Sequence, residues 1–231
     1  MTATQDDRAV PTAAPATRAV HVTRSLLGYG VIAGPIYLVT YLVQGLTRDG
    51  FDFGLHAASL LTAGSLGWIQ VVNFVLTGAM IVAAAVGLRR AMPTGRGRIW
   101  GPLLLGLYGL GMVAAGVFPA DPAFGFLAGT PDGPGTVSWH SLAHLSAGGV
   151  GFLGLVAACL VLARRFAGLG ERGMAVFSVV TGVVFLAAFA GIASGSAGPV
   201  TTLPFVGAVA LSFVWLATVS GRLYRRLAAD C

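Results

Sequence analysis

Two histidines one helical turn apart, His140 and His144, share a short stretch with Asp121, an aspartate set between prolines, in an otherwise apolar chain. This stretch, Phe118 to His144, joins two long hydrophobic segments, and a further histidine, His56, follows the first such segment. Imidazoles at i and i+4 put two nitrogens on one helix face. With a further His or an Asp they make a set that suits a divalent metal such as Zn, so His56, Asp121, His140 and His144 are candidate metal ligands. No glutamate follows the first histidine, so this is not the zincin motif. The same residues also suit a hydrogen-bonded cluster that ties the 3–4 loop onto the bundle, with Asp121 accepting from the fourth helix or from Trp139. Both readings stand. Asp121 falls just past a helix C-terminus, where the dipole opposes a carboxylate, and therefore needs a cation or donors. The two histidines start a helix, whose positive end favours neutral rings.

The elements that position these groups are membrane spans. Of the 231 residues, 56% are hydrophobic and 10% charged, and the mean hydropathy is +0.83, which excludes an ordinary soluble domain. The net charge of +6 does not indicate a nucleic-acid partner, because the basic residues punctuate apolar runs instead of clustering on a polar surface. All 14 basic residues are arginine, a bias of GC-rich bacterial genomes that points to a bacterial cell membrane. Cys159 lies in an apolar run and Cys231 is the last residue, so no disulfide or redox motif is expected.

Residues 1–24 are rich in Ala, Thr and Pro and read as a disordered cytoplasmic tail, without the features of a secretory signal peptide. Residues 25–227 read as an all-α transmembrane domain. Six apolar stretches, near 25–47, 66–89, 98–118, 139–163, 173–194 and 202–221, each have about the 20 residues a span needs. Thirteen arginines fall in the N-terminal segment, the 2–3 and 4–5 connections and the C-terminus; only Arg48 falls on the other side. Both termini are therefore expected in the cytoplasm, with the 1–2, 3–4 and 5–6 loops outside. The arginine pairs that end the even-numbered spans fit this topology better than a triplicated hairpin, since their intervals are unequal.

Polar groups enter the spans mainly in their outer halves. Tyr37, Tyr41 and Gln44 share a face of the first span, with Arg48 a turn further on, and Gln70, Asn73 and Thr77 share a face of the second. Ser138 is placed to cap the fourth span, whose His144 continues into Gly148 and Gly151, a small-residue face that predicts close packing. Ser194, Ser196, Thr201 and Thr202 lie at the same end. The expectation is an outward-facing pocket for a small molecule or lipid headgroup, lined by Tyr37, Tyr41, Gln44, Ser59, Gln70, Asn73, Asp121, His140 and His144. The alternatives are a metal-dependent intramembrane hydrolase at the outer leaflet and a structural or partner-binding subunit. Taken singly, the tyrosines also read as interface anchors and the amides as interhelical glue. The long 3–4 loop, with Phe124, Phe126 and Leu127 among glycines and prolines, reads either as a lid or as a flexible spacer.

Several segments recur in order with a family pattern. They are His56 to Leu61 (HAASLL), GWIQVVNFVLTG from Gly67 to Gly78, GLRRAM, VAAGVFPADP from Val113 to Pro122, SWHSLAH from Ser138 to His144, and VAACLVLARRF. On these the chain resembles the bacterial membrane-protein family known as domain of unknown function 998, over most of its length after the N-terminal tail. The resemblance implies a multi-pass membrane protein and carries no activity with it.

Overall fold

In hydrocarbon a backbone must satisfy its own hydrogen bonds, which helices do within one segment. The computed structural model describes residues 15–229 and contains six such helices: α1 (Pro15–Thr47), α2 (Gly67–Ala91), α3 (Trp100–Val117), α4 (Trp139–Gly168), α5 (Arg172–Ala193) and α6 (Pro199–Ala229). A short 3-10 turn, Ala58–Thr62, lies between α1 and α2. All six helices are long and apolar enough to cross a membrane. The expected spans are all present, with some ends moved. Residues 15–24, expected in the tail, form the first turns of α1, while residues 1–14 of that expected tail lie outside the described residues. Helix α6 likewise continues past residue 221 to Ala229.

Each helix packs against the next in sequence, and α6 returns to α1, so the six form a closed ring. Large apolar side chains such as Val39, Leu103, Leu153, Val176 and Val183 cover the outer surface, whereas Gln70, Thr77, Ser178 and Thr181 are fully buried. That distribution reverses the soluble pattern and suits a lipid exterior. Inside, the buried indole of Trp215 on α6 donates to the Ser178 hydroxyl on α5 at 2.9 Å.

Glycines set the spacing along one side of the ring. A Cβ on Gly78 of α2 would lie 2.5 Å from the carbonyl oxygen of Gly109 on α3, and a Cβ on Gly111 would lie 2.8 Å from the Cα of Gly151 on α4. The backbones of α2, α3 and α4 therefore touch, which only glycine allows.

The two ends of the ring differ. At one end Arg165 donates to the carbonyls of Thr94 and Arg96 at 2.8 and 3.0 Å, and Arg24 lies 4.5 Å over the Tyr224 ring. Arg222 and Arg226 on α6 both pair with Glu171, just before α5. At the other end the 1–2, 3–4 and 5–6 connections meet, and Arg48 is the one arginine there among the described residues.

Partial burial pushes the Glu171 carboxyl up, but hydrogen bonds and charge from Arg226 and Arg222 outweigh it and hold the group below the usual carboxylate range. A depressed carboxyl stabilises the fold above its unfolded value and loses that contribution as pH falls through its folded value. Glu171→Gln should therefore lower thermal stability near pH 7, by up to about 1 kcal/mol for so exposed a network. The gap from wild type should close in acid, below about pH 4, as read by melting curves of the detergent-solubilised protein.

Candidate functional site

The arginine-poor end is built as a cap. Tyr41 from α1, Leu60 and Leu61 from the 3-10 turn, and Ala123 and Phe126 from the 3–4 loop bury one another in a small second core. The rings of Phe51, Phe53 and Phe126 meet edge to face at 5.3–5.4 Å around Phe51. Arg48 clamps the turn by donating to the carbonyls of Leu61 and Ala63, both at 2.6 Å, and its guanidinium lies 4.8 Å over the Phe126 ring. The 3–4 loop is therefore docked on the 1–2 loop, and the spacer reading of its apolar residues does not hold. Apolar side chains that find a protein core here have no need of lipid.

His56 latches the two loops together. Its Nδ1 accepts from the Asp52 backbone N–H at 2.9 Å, so the proton sits on Nε2, which donates to the Phe124 carbonyl at 2.9 Å. Both nitrogens of this buried ring are used. Phe124 has φ of 54°, in the left-handed region that costs a non-glycine residue of order 1 kcal/mol or more. It is held there by His56 and by its own N–H, which donates to the Gly133 carbonyl at 3.0 Å.

Asp121 finds donors. Its carboxylate accepts from the Ser138 N–H at 2.6 Å and from the Ser138 hydroxyl at 2.8 Å, while Ser138 Oγ in turn accepts from the Ser141 N–H as the cap of α4. The carboxylate thus lies at the positive end of α4, whose dipole offsets that of α3.

His144 faces the interior from the second turn of α4. Its Nδ1 lies 2.8 Å from the Ala115 carbonyl and 2.9 Å from the Phe118 carbonyl, at the end of α3. Carbonyls only accept, so Nδ1 carries the proton and satisfies carbonyls that the helix end leaves open. With Nδ1 so engaged, Nε2 is the ring's other polar atom, and His144 lines a cavity.

That cavity occupies the middle of the ring at this end, with a volume of about 490 Å³. Of the nine residues expected to line a pocket, Tyr37, Ser59, Asp121 and His144 do so. Tyr41, Gln44, Gln70 and Asn73 do not: Tyr41 packs into the cap, and the three amides lie between α1 and α2. There Gln70 Oε1 accepts from Gln44 at 2.7 Å and from Asn73 at 3.2 Å, and Asn73 also donates to the Tyr37 carbonyl. Their amides hold two helices together because each finds its partner before reaching the cavity. His140 is exposed and stacks on Trp139 with centroids 3.6 Å apart, because its position on α4 faces away from the ring.

The four candidate metal ligands accordingly point to different places. Among the described residues no group of three or more His, Cys, Asp or Glu side chains is placed to hold a metal ion. The sequence reading missed much of the wall: Ser141 one turn before His144, Tyr108 and Met112 on α3, and the phenylalanine floor. Phe152 on α4 packs against Phe189 on α5 and Phe205 on α6 at 5.2 and 5.6 Å. The signal was present in the i, i+3, i+7 spacing of Ser141, His144 and Gly148 and in the similar run of Tyr108, Met112 and Ala115, which reads equally well as core.

If Asp121 and His56 hold the cap, Asp121→Ala and His56→Ala should each cost about 2 kcal/mol, the range for a charged or buried hydrogen-bonded group. Hydrogen exchange should accelerate across residues 119–138 in both. His140→Ala should change stability by less than about 0.5 kcal/mol, as at other exposed positions.

Comparison with known proteins returns one match. No curated relative and no solved structure matches the chain. The model of a family described as protein of unknown function, DUF998, matches residues 31–222, a span from the second turn of the apolar part of α1 to the arginine-rich end of α6. The cap, the cavity, the whole of α2 to α5 and most of the first and last spans fall within it, and the chain belongs to the DUF998 family of multi-pass membrane proteins.

Proposed function

We propose that the protein binds a small amphiphilic molecule in the cavity at its arginine-poor end. In this reading it resides in a bacterial cell membrane, with both termini in the cytoplasm and the cavity open on the outer side. One observation carries the proposal: His144, whose Nε2 the fold does not use, lines a cavity of about 490 Å³. A mostly apolar wall with a few polar groups is the usual make-up of a small-molecule site. The orientation is supported by the arginine asymmetry between the two ends.

Gly148 provides a test that spares the fold. A Cβ there would meet only the Phe152 ring, at 4.0 Å, and Gly148 lines the cavity, so a larger side chain at this position extends into it. Wild-type protein purified from its own membranes into lipid nanodiscs should release a near-stoichiometric small molecule on extraction, identified by mass spectrometry. Gly148→Leu should release none, with a melting temperature equal to or above that of wild type. Equal retention by the two proteins, or retention by neither, would contradict the binding role and favour a structural or partner-binding subunit.

A further inference from the structure

We infer that the cavity takes an amphiphile whose head is a hydroxyl or amine and which carries no anionic group, a conclusion that rests on the binding role proposed above. The wall holds no arginine, and its one acidic side chain is Asp121. Arg48, the arginine of this end, is committed to the Leu61 and Ala63 carbonyls and to the face of Phe126. A phosphate or carboxylate entering here would lose its water, meet no counter-charge and approach a like charge.

His144 points the same way. With Nδ1–H fixed by the carbonyls of Ala115 and Phe118, His144 presents the Nε2 lone pair, which calls for a donor on the ligand. Below it the wall becomes hydrocarbon down to the Phe152, Phe189 and Phe205 rings, a place for an apolar body. Leu145 on α4 and Ala193 on α5 line the cavity and are exposed. An amphiphile that enters between these two helices comes from the bilayer.

Native mass spectrometry of the protein in phosphatidylcholine nanodiscs at pH 8 tests this with four probes of one chain length: dodecanol, dodecylamine, dodecanoate and dodecyl phosphate. Dodecanol and dodecylamine should bind at least about tenfold more tightly than the two anions, as expected for one unopposed charge or one lost hydrogen bond in a dry site. Gly148→Leu should abolish binding of all four. Anions that bind wild type as tightly as dodecanol, with Gly148→Leu still abolishing both, would overturn the head-group inference and leave the binding role standing. Dodecanol binding that is absent from wild type, or unaffected by Gly148→Leu, would overturn both.

Discussion

The constraint that everything else follows from is that a polar group inside a membrane must find its partner inside the protein. The end of α3 shows the consequence most clearly. A helix that stops within reach of hydrocarbon leaves carbonyls open, and His144 closes those of Ala115 and Phe118 with one nitrogen. Asp121, a few residues on, is satisfied by the start of α4 through Ser138. The 3–4 connection is thereby anchored at both ends, and its middle is free to fold over the 1–2 loop, where His56 holds the strained Phe124. These three local solutions form the cap. Nε2 of His144 takes no part in these bonds, and His144 lines the cavity.

Packing explains why there is a cavity to face. On one side of the ring α2, α3 and α4 touch backbone to backbone through Gly78, Gly109, Gly111 and Gly151. On the other side α4, α5 and α6 are separated by the rings of Phe152, Phe185, Phe189 and Phe205. Small residues draw three helices together while large ones hold three apart, so the ring encloses space beside Gly148 and Gly149, above the phenylalanines. The amides of Gln44, Gln70 and Asn73 belong to the tight side, and they tie α1 to α2 without contributing to that space.

The six spans were legible because hydrophobic length is a property of each segment alone. So was the association of Asp121 with the start of α4, since a carboxylate past one helix and before another has few other places to find donors. His140 was misread because H-x-x-x-H spacing fixes a shared face only approximately, and the choice between ring interior and lipid depends on how α4 is rotated against α3. That rotation is set by the contact of Gly151 with Gly111, a tertiary fact. Gln44, Gln70 and Asn73 share the depth of the cavity, as their positions implied, but depth does not specify which neighbour they face. The phenylalanine floor escaped notice for the opposite reason: apolar residues in an apolar span carry no contrast.

A crystal structure of the protein grown from a lipidic mesophase would test the central claim most directly, through the electron density between His144 and Phe152. The account predicts continuous elongated density in the cavity, with a polar atom within hydrogen-bond reach of His144 Nε2 and the ring still bonded to the carbonyls of Ala115 and Phe118. Helices α4, α5 and α6 closed upon one another, with no space above Phe152 and His144 bonded through both nitrogens to protein groups, would contradict it.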